Sequence, residues 1–304
     1  MMKRFLTSIL AGMLAFVATA CVEPEGLSFM VPSGSPALAQ IYLQAEGYHD
    51  VDIVNGADPL IAAFGSGSHD VIFAPTNLGA KLIASGCGYL YAGAVVWGNY
   101  YLVSTGKAAF DIASLDGAGI VAFGQNQTSD IVLRHILESN GITATITHVD
   151  AVATAAAMFA ADPTLIVLTA EPSLSAIRAS VAGVQTIDLQ TAYAALHGSA
   201  SYPQAGIFIK FGLAESRVER FLSDLSASVE AVNDDPAAAA SEALTLEFGF
   251  SEAVMTAAIP GSHLQFVSAA ASRASLEAYF TIILAMNPAL IGGALPEEGF
   301  YYAP

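Results

Sequence analysis

Residues 116–141 read DGAGIVAFGQNQTSDIVLRHILESNG. The segment opens on Ile120-Val121-Ala122-Phe123, an apolar run the length of a buried parallel strand. Gly124 follows, then a row of amide and hydroxyl side chains from Gln125 to Ser129. Val132, Leu133, Ile136 and Leu137 next fall on one helical face, and Asn140-Gly141 supplies a stop. Thr128 is the expected N-cap, and Asp130 falls in the first turn, where the helix dipole favours an acid. The segment therefore reads as strand, polar loop and helix N-terminus. In an open parallel sheet such a loop lies at the carboxyl end of the strand, where ligands bind. It carries no catalytic acid–base pair and no phosphate-loop pattern. Its side chains suit a ligand held by hydrogen bonds.

The same pattern recurs along the chain. Leu27–Val31 runs into Ser33-Gly34-Ser35, with Pro36 at a first helical position and an apolar face of Leu38, Ile41, Tyr42 and Ala45 that ends at Gly47. His69–Ala74 ends at Pro75-Thr76-Asn77, and Thr164–Thr169 ends at Glu171-Pro172. Further strands are expected at Val51–Val54, Tyr89–Val96, Tyr100–Ser104, Thr145–Val149 and Gln204–Lys210, and helices at Asp58–Phe64, Leu78–Ala84 and Ala151–Ala160. From Leu213 onward the pattern is mainly helical. Strands alternating with helices predict an α/β fold with mostly parallel sheets flanked by helices. Four strands end alike, at Ser33, Thr76, Gln125 and Glu171, two early and two in the middle of the chain. Two lobes aiming strand ends at one cleft would account for this, and such hinged halves close on ligand. The expected lobes are 25–102 with 209–304, and 103–208, with crossings near Tyr101–Ser104 and Gly206–Lys210.

A length of 304 residues suits two lobes. With 10 Lys+Arg against 27 Asp+Glu, the formal net charge of −17 argues against nucleic acid or anionic lipid as a partner. Residues 1–21, MMKRFLTSILAGMLAFVATAC, read as a signal peptide: a basic start at Lys3-Arg4, an apolar stretch Phe5–Val17 and a small-residue cleavage site before Cys21. A cysteine in that place resembles a bacterial lipobox, which makes Cys21 the candidate lipid attachment site, although Ala18 stands where a leucine is usual. The alternatives are a plain secretory signal and an uncleaved anchor; in each case the remainder is exported. No second segment supplies the roughly 20 unbroken apolar residues of a spanning helix. The six histidines and two cysteines show no zinc-site spacing, so neither a metal nor a cofactor is expected.

Six segments in order carry a family resemblance: DVIFAPTNLGAKLI (70–83), VVWGNYYLVS (95–104), SLDGAGIVAFGQNQTSDIVLRHIL (114–137), EPSLS (171–175), YPQAGIFI (202–209) and NPALIGGALPEEGFYY (287–302). The chain resembles the periplasmic substrate-binding proteins of ABC importers, in the nitrate/sulfonate/taurine/thiamine-pyrimidine branch. The resemblance implies a two-lobed, type II-like periplasmic-binding fold and capture of a small molecule for an ABC permease with its ATPase. It implies ligand contacts from Ser33, Gly34, Ser35, Thr76, Asn77, Trp97, Gln125, Gln127, Thr128, Glu171 and Tyr202. Trp97, the single tryptophan, is the expected stacking partner of a planar ligand, and Glu171 an acceptor for a ligand amine or amide. Two departures stand out. Ala118 replaces the lysine usual in the family, and no Arg or Lys occurs among the implied ligand-contacting positions, which favours a pyrimidine-like ligand over a sulfonate or nitrate. The other readings are a pyrimidine-precursor synthase on the same fold and a ligand sensor.

Overall fold

The computed structural model describes residues 26–198 and 201–304; the leader and Cys21 lie outside them. The first part of the chain comprises β1 (Ser28–Pro32), α1 (Ser35–Ala39), α2 (Ile41–Ala45), β2 (Asp50–Val54), α3 (Asp58–Ser66), β3 (Val71–Pro75), α4 (Thr76–Ala84) and β4 (Tyr89–Val96). The middle holds β5 (Tyr100–Ser104), β6 (Gly119–Phe123), α5 (Thr128–Ser139), β7 (Thr145–Val149), α6 (Val152–Ala161), β8 (Ile166–Ala170), α7 (Ser173–Ser180), β9 (Gln185–Asp188) and α8 (Leu189–His197). The last part returns with β10 (Ala205–Lys210), α9 (Glu215–Asp234), α10 (Pro236–Thr245), α11 (Glu252–Ala258), β11 (Leu264–Ser268) and α12 (Ala269–Met286). Two helix-flanked sheets result, one of six strands ordered β11-β4-β10-β3-β1-β2 and one of five ordered β7-β6-β8-β5-β9.

The two-lobed α/β class is as expected, but the sheets are mixed. β1, β2 and β3 run parallel, as do β6, β7 and β8, whereas β10 is antiparallel to β3 and β4, and β5 is antiparallel to β8 and β9. β5 and β10 are the strands next to the crossings, and β11 at the edge is likewise antiparallel to β4. Strand membership also moves the expected boundaries. β5 belongs wholly to the five-stranded sheet and β10 wholly to the six-stranded one, so cuts at 102/103 and 208/209 fall inside strands. The chain crosses at Trp97–Asn99 and returns ahead of Ala205.

Local sequence explains most elements. β6 buries Ile120, Val121 and Ala122, and α5 lays Ile131, Val132, Leu133, Ile136 and Leu137 against the core. α5 ends where Asn140 Nδ2 donates to the Ile136 carbonyl at 2.8 Å and Gly141 takes φ +67°. Its N-cap is Gln127, one residue before the expected Thr128, because the Thr128 hydroxyl is engaged elsewhere. The predicted single helix before Gly47 is two, α1 and α2, broken at the fully buried Gln40. The apolar spacing continues across that break, so periodicity does not reveal it. β9 and β11 were not expected. Both are edge strands, as are β2 and β7, which were expected.

The core follows the pleat. Phe29, Val31, Val71 and Phe73 face one side of the six-stranded sheet with Phe221 and Val229, while Met30, Ile72 and Ala74 face the other. That second side is continuous with the five-stranded lobe: one cluster holds Ile72, Phe208 and Phe280 together with Leu102, Ile120 and Leu168. Tyrosines bridge the two halves. Tyr202 stacks on Tyr100 at 6.4 Å, meets Tyr193 edge-on at 4.9 Å and lies 5.9 Å from Tyr279. The C-terminal aromatics pack back on the first lobe, with Phe300 stacked on Tyr91 at 5.5 Å and the Tyr302 amide donating to the Tyr91 carbonyl.

Candidate functional site

Four strand ends meet between the sheets. After β1, Gly34 takes φ +104° and caps α1, and Ser35 is buried at its start. The Ser35 hydroxyl accepts from Asn99 Nδ2 and donates across the lobes to the Glu171 carbonyl at 3.3 Å. After β3, Thr76 donates to the Pro203 carbonyl at 2.7 Å. Asn77 Nδ2 donates to the Asn126 carbonyl at 3.1 Å, and Asn77 Oδ1 accepts from the Thr128 hydroxyl at 3.2 Å. Thus β3 of one lobe is joined to the loop after β6 of the other by neutral side chains, all buried or nearly so.

That loop owes its shape to its own backbone. Gly124 and Asn126 take φ +70° and +62°, which a glycine and an asparagine tolerate. The turn is fastened from below by Asp130, 1% exposed, which accepts from the Asn126 amide at 2.8 Å, His148 Nε2 at 2.9 Å and an Arg134 nitrogen at 3.0 Å. Burial alone would raise the Asp130 pKa, but these three hydrogen bonds and the Arg134 charge outweigh it and hold the carboxyl below its usual range. Asp130 therefore does more than the dipole role expected of it: it fixes the loop.

After β8, Glu171 is buried, and its carboxylate accepts from the Ser175 amide at 3.0 Å and the Ser175 hydroxyl at 3.1 Å. Burial lifts its pKa, and the Ser175 hydrogen bonds and the Arg178 and His263 charges offset this only in part. Behind these ends lies the hinge. Asn99 N donates to Gln204 Oε1 at 2.9 Å, Gln204 Nε2 returns a bond to Asn99 Oδ1 at 2.7 Å, and the Gln204 amide donates to the Val96 carbonyl at 2.8 Å. Asn99 was not singled out in the sequence. Its signal was faint, a polar residue after Trp97-Gly98 between two apolar strands.

Ser35, Thr76, Asn77, Thr128 and Glu171 are thus brought together with Asn99 and Gln204. Ser33 is exposed and donates to Asn55 Oδ1 at 2.6 Å; Gln125 is exposed as well. Gln127 is half-buried with its Oε1 unpartnered. Tyr202 is fully buried in the tyrosine cluster, and its hydroxyl is unpartnered. Trp97 makes no contact with the strand-end side chains through hydrogen bonds: its indole nitrogen donates to the Gln265 carbonyl on β11 at 2.9 Å. Among the described residues no group of three His, Cys, Asp or Glu side chains is placed to hold a metal ion. The assembled side chains are hydrogen-bond donors and acceptors. Their arrangement suits hydrogen bonding to a polar guest.

No protein-family model and no curated protein sequence matches the chain. Solved structures do. An ABC transporter protein of Parabacteroides distasonis superposes with a TM-score of 0.79 at 19% identity, over 92% of this chain and 99% of that one. The periplasmic aliphatic sulphonate-binding protein SsuA of Escherichia coli gives 0.68 at 17% identity, over 93% of each chain. The alkanesulfonate-binding protein SsuA of Xanthomonas axonopodis pv. citri, bound to MOPS, gives 0.63 at 20% identity, over 91% and 96%. This is the periplasmic-binding-protein fold. Of these structural neighbours, the two SsuA proteins are sulfonate-binding proteins and the first belongs to an ABC transporter. In this periplasmic-binding-protein fold the strand ends at Ser35, Asn77, Thr128 and Glu171 face one another between the lobes.

Proposed function

We propose that this chain is the extracytoplasmic solute-binding component of an ABC importer, performing no chemistry on its ligand. The observation that carries the reading is the pairing of strand ends across a two-segment hinge, Asn77 with Asn126 and Thr128, and Ser35 with the Glu171 carbonyl. On opening, these donors and acceptors would be exposed together; a guest that satisfies them restores the closed form. None of the paired side chains is basic, so a small polar, neutral or cationic ligand is favoured, heteroaromatic and pyrimidine-like before sulfonate-type. Export through the leader and anchorage at Cys21 belong to the same proposal, with a permease and ATPase as partners.

A thermal-shift screen with pyrimidines, alkyl sulfonates, taurine and nitrate tests it. A ligand at 100 times its dissociation constant should stabilise the protein by about 2.7 kcal/mol, a rise of several degrees. The shift should vanish in Asn77→Ala or Thr128→Val. A shift confined to sulfonates would overturn the ligand preference, and no shift with any class would count against the binding role. Mass spectrometry of the membrane-extracted protein tests the anchor, since an unmodified Cys21 removes it.

A further inference from the structure

Two imidazoles meet on the helices of the five-stranded lobe. His135 lies on α5, about 10 Å along the helix from Thr128, and His197 is the last residue of α8. α5 and α8 pack together, which brings the two Nε2 atoms to 2.8 Å although the residues are 62 positions apart in sequence. That separation is why no motif announced the pair. Tyr193, buried one turn before His197, lies against both rings, its centroid 4.3 Å from that of His197 and 6.1 Å from that of His135. His135 is half-buried and His197 exposed, so the meeting point is open to solvent.

The other histidines are engaged differently. His49 Nδ1 accepts from the Leu27 amide, His69 sits between Ser68 and Asp52, His148 is bound to Asp130, and His263 Nδ1 donates to the Gly98 carbonyl. His135 and His197 have their ring centroids 5.1 Å apart and their planes 22° apart, so the two nitrogens point at each other and, without a cation, share one proton. Burial lowers the pKa of both, and the His197 charge lowers that of His135 further, so the neutral form that ligates metals is the one present at neutral pH.

We propose that His135 and His197 form a site for a divalent late transition cation of the Ni²⁺ or Cu²⁺ kind, with water in the remaining positions. Imidazole nitrogens bind such cations at about 2.0–2.1 Å, so two nitrogens 2.8 Å apart subtend roughly a right angle at the metal. That is the angle between neighbouring ligands in octahedral and tetragonal geometry, whereas a tetrahedral Zn²⁺ site would need about 3.3 Å between the nitrogens. His197 is exposed and followed by Gly198 at φ +70°, so its ring has room to turn its lone pair onto the cation, which takes the place of the shared proton. Among the described residues no third His, Cys, Asp or Glu side chain stands with the pair, so two protein ligands hold the cation exchangeably. The bound cation joins α5, which begins at Thr128, to α8, which precedes the return of the chain to β10.

Calorimetric titration of the full chain, prepared without a histidine tag, with nickel chloride tests the site. A single Ni²⁺ should bind and raise the melting temperature, Mg²⁺ should do neither, and Zn²⁺ should bind more weakly than Ni²⁺. His135→Gln and His197→Gln should each weaken Ni²⁺ binding by about tenfold or more, while the metal-free melting temperature stays nearly unchanged. The comparison of the three cations on the unaltered chain stands even if a variant folds poorly. No saturable heat up to ~1 mM Ni²⁺ would overturn the proposal and leave the pair as a hydrogen bond alone. Undiminished binding in both variants would overturn it by placing the cation elsewhere, and tighter binding of Zn²⁺ than of Ni²⁺ would overturn the right-angle geometry.

Discussion

Asp130 shows how one buried charge shapes the loop after β6. It is 1% exposed and its oxygens are shared among the Asn126 amide, His148 and Arg134. Removing it leaves Arg134 and His148 without their acceptor, so Asp130→Ala should cost about 3–5 kcal/mol, read as a lower melting temperature and a lower denaturation midpoint. Because its folded pKa lies below the unfolded value, its contribution is complete above the usual carboxylate range and is lost as pH falls through the folded pKa. The difference in stability between the parent and Asp130→Asn should therefore shrink on strong acidification. Cys87 gives a simpler prediction. Burial pushes its thiol up to about 11, so it is protonated at neutral pH, and iodoacetamide should modify it more slowly than an exposed cysteine peptide. Glu171 was legible in the sequence as a strand-end acid. Its role was not, because the Ser175 contacts come from the next helix turn and the Ser35 contact from the other lobe.

Among elements, α4 and β10 meet at close quarters. A Cβ on Gly79 would stand 2.0 Å from Cζ of Phe208, whose ring is fully buried between Phe64 and Tyr91. Alanine would favour the helix by about 1 kcal/mol over glycine, but overpacking of this kind costs about 1–3 kcal/mol. The clash outweighs the propensity, so Gly79→Ala should destabilise, and a gain in denaturation midpoint would refute the packing argument. The β6–loop–α5 unit was readable from residues 116–141 because a buried strand, polar turn residues and an amphipathic helix each leave a local pattern. β9 and β11 were not read from the sequence, although the edge strands β2 and β7 were; each is fixed by pairing with a strand far away in the chain, β9 with β5 and β11 with β4. The break between α1 and α2 is likewise invisible to apolar spacing, since both sides of Gln40 keep the same buried face.

For the whole molecule, the tyrosine bridge matters most. Tyr202 touches Tyr100 and Tyr193 of one lobe and Tyr279 of the other. Tyr202→Ala should destabilise by about 3–5 kcal/mol if the bridge holds the lobes closed, and small-angle scattering should show a larger radius of gyration. An unchanged radius with an unchanged melting temperature would mean that closure rests on the strand-end hydrogen bonds alone. Gln204→Ala is the complementary change: it removes the paired amide bonds to Asn99, and should raise the amplitude of lobe motion more than it lowers core stability.

The sequence by itself determined the α/β class, the order of most strands and helices, and the strand ends at Ser33–Ser35, Thr76-Asn77, Gln125–Thr128 and Glu171. These are properties of short range: apolar period, turn residues and capping chemistry act over a few positions. Only the tertiary structure decided where the chain changes sheets, which strand-end side chains face one another, and that Trp97 belongs to the β11 side of the hinge. Those outcomes depend on hydrogen bonds and ring contacts between residues tens to more than a hundred positions apart, such as Ser35 with Glu171 and Trp97 with Gln265. No local pattern encodes such pairings, because each is selected by the packing of both lobes at once.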